Sequence, residues 1–502
     1  MTRVSGLLFR FVGLIAAGLI FTATATAGKN SSTPVVVGSK NFTESVLLGE
    51  LATQLLIARG IPAVHREALG GSRILWNALQ RGDIDVYPEY SGTLRFELLA
   101  NVVEATTAPL DKLLSGEGIA ALPPFGFANN YAMGMAEPRA EGLHITRLSD
   151  LLRHAGLKIG VSNEFLHRAD GWPGLKAAYQ LPQLATGLDH DLAYRGLVEG
   201  DLDVIDLYTT DAEISYYNLR VLVDDRSYFP DYHALLLYRA NWAADRPEVV
   251  GLLAALSGQL SEVDISRLNS LQKLDKQPAK EVAAQFLENR LKLAPADVRP
   301  QSNLRKELWI TTSQQLFMVG VSMFAALLLA LPLGVLAAKK PAIGRLILGL
   351  TGAVQTIPSL ALLVFMIPLL GIGTLPAIVA LFFYSLLPIL RNTEAGLSGI
   401  SHELQETAVA LGLSAWARLW QIELPLASRT ILAGIKTAAV INIGTATLGA
   451  LIGAGGYGQP ILAGIRLDDT GLILQGAIPA VLMAFVVQGL FSMVEKKLPA
   501  SS

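Results

Sequence analysis

A chain of 502 residues is too long for one hydrophobic core, so two or more domains are expected. Its 51% hydrophobic content and mean hydropathy of +0.43 average two unlike parts: charged residues are frequent over 33–300 and nearly vanish, outside short loops, over 312–494. A net charge of -2 without a basic, aromatic-studded patch argues against a nucleic-acid partner, and the absence of cysteine excludes disulfides, thiolate metal sites and thiol-linked lipid anchors.

In chain order, residues 1–27 read as an export signal. Arg3 and Arg10 precede an apolar stretch over 11–21, and Ala25-Thr26-Ala27 offers a small-x-small cleavage site. That stretch is shorter than the ~20 residues of a membrane span, although an uncleaved anchor over 4–27 is the alternative. Either way, the chain from Lys29 onward is expected outside the cytoplasm.

Over 34–300, short β-branched segments alternate with helical stretches. Strands are expected at 35–37, 64–67, 86–87, 131–135, 158–161, 204–207, 221–222 and 233–238. An Asn41-x-x-Glu44 cap should open a helix ending at Ala58. Repetition of this kind predicts two α/β lobes with a ligand cleft at the strand ends between them. A helical tail over 243–293, with Val249, Leu252, Leu253, Leu256 and Leu260 on one face, should return to the first lobe. Residues 301–311 read as a linker.

Beyond it, about five apolar runs are long enough to cross a bilayer, near 312–338, 345–370, 374–390, 428–452 and 471–494. Lys339, Lys340 and Arg345 follow the first, Arg391 and Arg418 the third, and Lys496 and Lys497 the last; the positive-inside rule makes those ends cytoplasmic. Residues 312–498 are thus expected to form an all-α polytopic membrane domain. Pro332, Pro358, Pro368, Pro376 and Pro388 should kink helices or mark their ends. Gln355, Asn442 and Gln488 should face other helices or a pore, and Lys436 should snorkel to the cytoplasmic surface.

Between the third and fourth runs stand Glu406-Thr407-Ala408, Gly412 and Ile422-Glu423-Leu424-Pro425. This spacing resembles the coupling loop of the integral-membrane subunits of ABC importers: Glu-Ala-Ala, three residues, Gly, nine residues, Ile-x-Leu-Pro. Only Thr407 departs from it. The resemblance implies that Glu406, Ala408, Gly412, Ile422, Leu424 and Pro425 belong to a cytoplasmic dock, 402–425, for a separate ATPase. A helix over 402–417 would turn at Gly412, and Pro425 would start the next membrane helix, where a missing N–H is harmless. No Gly-x-x-x-x-Gly-Lys-Ser/Thr occurs, so ATP hydrolysis is assigned to that other chain. The family also implies a permease homodimer embedded in the lipid bilayer of the bacterial inner membrane.

Within 34–300, five segments carry a second resemblance. They are Gly38-Ser39-Lys40-Asn41-Phe42-Thr43-Glu44, Tyr87-Pro88-Glu89-Tyr90-Ser91-Gly92-Thr93, Asn129-Asn130-Tyr131, Arg168-Ala169-Asp170-Gly171 and Phe229-Pro230-Asp231-Tyr232. In order and approximate spacing they resemble osmoprotectant-type substrate-binding proteins, which bind glycine betaine, choline, carnitine and related quaternary amines. One departure is Tyr208-Thr209-Thr210-Asp211-Ala212, where the family shows Thr-Asp-Gly after the aromatic; it loosens the register of Tyr208.

A trimethylammonium group donates no hydrogen bond, so dispersion and cation–π attraction must hold it. The resemblance implies that Tyr90, Tyr131, Tyr208 and Tyr232 form an aromatic box, and that Lys40, Arg168 and Thr93 receive a ligand carboxylate. The combination favours a betaine over plain choline. Blander readings stand beside it: each Tyr as core, Lys40 as a solvated residue, Arg168 paired with Asp170. The seven histidines show no metal spacing and no nucleophile elbow occurs, so neither cofactor nor enzymatic activity is expected. The expected whole is a two-lobed binding domain fused to a permease, importing a quaternary amine. The alternatives are import of another small zwitterion, such as a histidine betaine, and a membrane-tethered chemoreceptor.

Overall fold

Ten short strands build two separate five-stranded sheets among the residues that the computed structural model describes, 33–102, 108–293 and 304–498. The expected export signal and residues 301–303 of the expected linker lie outside the described residues. The chain divides into two compact units: Ser31–Gln301 with Ala463–Thr470, and Ser302–Leu462 with Gly471–Ser502.

The first sheet holds β1 (Val35–Gly38), β2 (Ala63–Arg66), β3 (Val86–Tyr90), β4 (Ile119–Ala121) and, much later in sequence, β10 (Ala234–Arg239). The second holds β5 (Tyr131–Ala136), β6 (Ile159–Ser162), β7 (Ala185–Leu188), β8 (Val204–Tyr208) and β9 (Leu219–Val221). Their orders, β2-β1-β3-β10-β4 and β7-β6-β8-β5-β9, follow one plan. Three parallel strands are linked by helical crossovers, and an antiparallel strand then carries a short edge partner. The two strands that sequence reasoning did not anticipate, β4 and β7, are both edge strands. Ile119-Ala120-Ala121 and Ala185-Thr186-Gly187-Leu188 are short and rich in Ala and Gly, and pairing with one neighbour supplies what propensity lacks.

β3 runs three residues further than expected, through Pro88. Pairing with β1 ends at Val37 opposite Val86, so the missing N–H of Pro88 interrupts no ladder there. The chain passes between lobes twice, around Ala128 and around His233, and these two residues form an antiparallel bridge. Two adjacent crossing segments of this kind are a hinge. The Thr43–Ala58 helix is buried over residues 43–56 because the sheet covers one side and the tail helices the other. Helices Pro247–Leu253, Glu262–Lys273 and Ala279–Leu291 form that return to the first lobe, with Val249, Leu253, Leu256 and Leu260 buried as expected and Leu252 half-buried.

In the second unit the first helix spans Leu304–Lys339. It begins inside the expected 301–311 linker, since Leu304-Arg305-Lys306-Glu307-Leu308 are good helix formers with no proline among them. The expected second span, 345–370, is a bent pair, Pro341–Thr356 and Ser359–Leu370, turned by 96°. Pro358 forces Ile357 into extended backbone and ends the ladder. Among the described residues, four helices are thus long and apolar enough to cross a membrane, or five if the bent pair counts as one span.

Helices Leu304–Lys339, Thr374–Ser398 and Leu424–Ala446 pack closely on one another. A Cβ on Gly334 would stand 2.6 Å from the Cβ of Thr393, and one on Gly434 2.6 Å from the Pro388 carbonyl, so neither approach tolerates a side chain. Asn442 is fully buried and donates to Ser385 Oγ at 2.7 Å and Ser322 Oγ at 3.1 Å, joining all three helices. Gln488 is exposed on the Thr470–Glu495 helix. Lys436 is half-buried and pairs at 2.9 Å with Glu495, the last residue of the Thr470–Glu495 helix.

Candidate functional site: an aromatic cavity between two lobes

The cavity lies between the strand ends of the two lobes and has about 300 Å³ of empty space, part of it open to solvent. Lys40, Tyr90, Thr93, Tyr131, Arg168, Tyr208 and Tyr232, all seven residues singled out from the sequence, line it. Their positions follow from the fold. Lys40 follows β1, while Tyr90 and Thr93 end and follow β3, so the first lobe presents them at its strand tips. Tyr131 opens β5, Arg168 follows the Asn163–His167 helix after β6, and Tyr208 ends β8, so the second lobe presents these from the opposite side. Tyr232 stands on the returning crossing segment. The pairing of Tyr131 with Tyr208 sets the register that the sequence left loose.

Three further residues line the cavity: Phe42, Asn129 and Glu164. Phe42 and Asn129 lie inside the family-like segments and were legible there. Glu164, one residue into a five-residue helix, carried no signal.

Five rings form a continuous chain. Tyr90 lies 6.0 Å from Phe42, Phe42 5.4 Å from Tyr208, Tyr208 5.1 Å from Tyr131, and Tyr131 5.5 Å, edge-on, from Tyr232. Cations already lie over this surface: Lys40 Nζ is 5.1 Å from the Tyr90 centroid and Arg168 Cζ 5.4 Å from that of Tyr131. The site can therefore hold a positive group against π faces.

Both cations are buried and paired. Lys40 is not solvated: it makes a short ion pair with the fully buried Glu89 and donates to Ser72 Oγ at 3.0 Å. Burial pushes the Glu89 carboxyl above its usual range, with the Lys40 charge opposing. Arg168 binds Asp170 bidentately, Nε to Oδ1 at 2.9 Å and Nη2 to Oδ2 at 2.6 Å. Its Nη1 crosses to the first lobe, donating to Glu97 Oε2 at 3.0 Å and Thr93 Oγ1 at 3.2 Å. Asp170 also accepts from the Tyr232 hydroxyl at 2.6 Å, so the guanidinium and one ring are positioned by the same carboxylate. Burial pushes the Tyr90, Tyr131, Tyr208 and Tyr232 hydroxyls well above the usual phenol range, so all four stay neutral. Counting Glu89, Glu97, Glu164 and Asp170 against Lys40 and Arg168, carboxylates are in excess around the cavity.

The expected Asn41-x-x-Glu44 cap is absent. Phe42 is the N-cap residue and its phenyl ring has no acceptor for a helix N–H, while the Glu44 carboxylate is turned inward and accepts four hydrogen bonds.

In the second unit, the expected 402–417 helix is shorter: His402–Ala410 ends at Leu411, and Gly412 takes a left-handed φ of +74°, so the turn falls at the glycine. Ser414 caps a new helical run that continues to Ile452. Pro425 stands in the first turn of the α-helix Leu424–Ala446, as expected, and a π-helical turn, Leu419–Glu423, joins that helix without a break to the preceding residues. Glu406 is exposed, Ala408 buried, and Ile422, Leu424 and Pro425 half-buried. Leu404, Val409, Leu411 and Trp416 are exposed apolar side chains around the turn. Glu423 is buried and paired with Lys339 at 2.6 Å, which ties the end of the first helix to this segment.

Residues 33–289 match the family model described as the substrate binding domain of ABC-type glycine betaine transport systems. Residues 330–499 match that of the binding-protein-dependent transport system inner membrane component. The chain is 40% identical over 191 residues to the glycine betaine/carnitine/choline transport system permease protein OpuCB of Bacillus subtilis, a match covering 38% of this chain and 88% of that protein. It is 41% identical over 192 residues to the choline transport system permease protein OpuBB of the same organism, again covering 38% and 88%. A solved structure titled as a glycine betaine/carnitine/choline ABC transporter is 26% identical, with 52% of this chain and 99% of that one covered and a TM-score of 0.44. The chain belongs to the ABC-type glycine betaine transport family, and it joins in one polypeptide the substrate-binding domain and the inner-membrane permease component of such a system.

Proposed function

We propose that the chain captures a quaternary ammonium compound, foremost a betaine, in the cavity between its lobes and passes it through its own membrane unit, driven by ATP hydrolysis on a separate ATPase chain. The observation that carries this reading is the chain of five rings around the cavity with Arg168 at its edge. The rings receive the trimethylammonium head, and the remaining hydrogen-bonding capacity of Arg168, with Lys40 and Thr93, receives the carboxylate. The binding unit works on the outer side of a bacterial inner membrane, two copies of the chain form the translocation path, and the 402–425 segment docks the ATPase. Fusion makes delivery intramolecular, with an effective concentration on the order of millimolar for a short tether.

Choline is the second reading, favoured by the carboxylate excess around the cavity and by Glu164 in its wall. Calorimetric titration of the full chain in lipid nanodiscs with glycine betaine, carnitine and choline tests both. Binding of glycine betaine ahead of choline supports the first reading and the reverse order the second. Failure of every quaternary amine to bind refutes the assignment.

A further inference from the structure

Glu44 is a glutamate without a cationic partner among the described residues, yet it is only 3% exposed. Its surroundings explain how it is tolerated. Oε1 accepts from the Tyr90 hydroxyl at 2.6 Å and from Asn129 Nδ2 at 2.9 Å; Oε2 accepts from Thr210 Oγ1 at 2.5 Å and from Asn269 Nδ2 at 3.1 Å. An ionised carboxylate is acceptor-only with about four lone-pair sites, and these four donors fill them.

The donors come from four parts of the binding unit. Tyr90 is a cavity wall at the end of β3, Asn129 lies on the first crossing segment, Thr210 follows β8 in the second lobe, and Asn269 stands in the Glu262–Lys273 tail helix. Asn269 Nδ2 also donates to the Thr210 carbonyl at 3.1 Å, so Thr210 is gripped at both its side chain and its backbone. The two oxygens differ in what they hold. Partners of Oε1 belong to the first lobe and the hinge, and stay together when the lobes separate. The Oε2 to Thr210 bond joins the first lobe to the second. Two residues before Thr210 stands Tyr208, another cavity wall.

We propose that Glu44 is the closure latch of the binding domain, a positioning residue that couples the orientation of the Tyr90 ring to the docking of the second lobe through Thr210. This rests on the reading that the cavity takes a quaternary amine. When the ring chain is filled, Tyr90 is held in place, Oε1 is fixed, and Oε2 is aimed at Thr210. An open cleft leaves Oε2 with Asn269 and water; a closed cleft replaces that water with a charge-assisted bond from the opposite lobe. Ligand contact and closure thereby share one carboxylate.

The test uses the full chain in nanodiscs. The absence of native cysteine permits spin labels at Ser115→Cys in the first lobe and Glu199→Cys in the second, both exposed positions. Distances between labels are read with and without glycine betaine, beside calorimetric titration with glycine betaine and choline. Thr210→Val keeps the shape and removes the cross-lobe donor. It should shift the distances toward the open cleft and weaken both ligands by roughly ten- to hundred-fold, the usual weight of a hydrogen bond to a charged group. Thr210→Ser should restore both readouts. Glu44→Gln should match Thr210→Val or exceed it, and the double variant should lose less than the two single losses combined, because both remove one bond.

If Thr210→Val closes and binds like the parent, or Thr210→Ser fails to rescue it, the latch is wrong. Should the parent bind neither ligand, the cavity assignment falls, while the ligand-free distances of Thr210→Val against the parent still decide the latch.

Discussion

Replacing Arg168 with Ala separates two roles that the structure assigns to one guanidinium. Its side chain is 5% exposed and makes four hydrogen bonds, two to Asp170 in its own lobe and two across the cleft to Thr93 and Glu97. The Asp170 pair is present whether the cleft is open or shut, so its loss falls on the stability of the unit; breaking a buried pair of this kind costs about 3–5 kcal/mol. The cross-cleft bonds form only on closure and are lost for every ligand, at about 1.5–3 kcal/mol for a hydrogen bond to a charged group. A ligand carboxylate held by the same guanidinium adds a second loss of about that size for glycine betaine alone. Arg168→Ala should therefore weaken choline by roughly ten- to hundred-fold and glycine betaine by a further ten- to hundred-fold. Paired calorimetric titrations of parent and variant in nanodiscs measure both, after circular dichroism has established that the variant is folded. Equal losses for the two ligands would refute the carboxylate role and leave Arg168 as a closure residue. No loss for either would refute the whole scheme.

Truncating Tyr90 or Tyr232 to Ala should weaken glycine betaine binding by about 1–2 kcal/mol through loss of a desolvated π face, with Phe costing less; parent-like titrations for both Ala variants would eliminate the ring chain as the cation site. Gly412→Asp places a side chain on a left-handed residue with no heavy atom within 4 Å, so the local penalty is backbone strain of about 1 kcal/mol. That substitution should leave glycine betaine affinity intact and abolish uptake and ligand-stimulated ATP hydrolysis once the ATPase is reconstituted, whereas unchanged uptake would remove the docking role of the turn. Glu50 is buried, which by itself raises its pKa, but the hydrogen bond and charge of His65, 2.8 Å away, outweigh this and hold it below 4.5. A depressed carboxylate contributes stability that is present above the unfolded pKa and lost as pH falls through the folded one. Glu50→Gln should accordingly flatten the acid limb of thermal melting below about pH 4.5, and an unchanged limb would place the acid sensitivity elsewhere.

Much of the fold was legible because its signals are local. Eight short apolar runs marked eight of the ten strands, and the missed pair, β4 and β7, are edge strands whose order comes from a neighbour rather than from their own residues. Apolar runs located the membrane helices for the same reason, since each must satisfy its own backbone in lipid. Their ends were less legible: Pro358 was anticipated as a kink or an end but not as a 96° bend, and the helical run through Pro425 depends on a π turn with no sequence mark.

The sequence by itself determined the residue types of the cavity. Aromatic and basic residues sit in segments whose spacing resembles a family, and the positions that strand tips present are set by strand register. Only the tertiary structure decided what those residues meet. Nothing in the chain order pairs Lys40 with Glu89, forty-nine positions away, or brings Thr210 onto Glu44 across 166. Glu44 looks like a helix cap because Asn-x-x-Glu is a local pattern that scores well wherever a helix begins. The donors that turn it inward come from four distant segments, and burying a carboxylate is tolerable only when all of them arrive together.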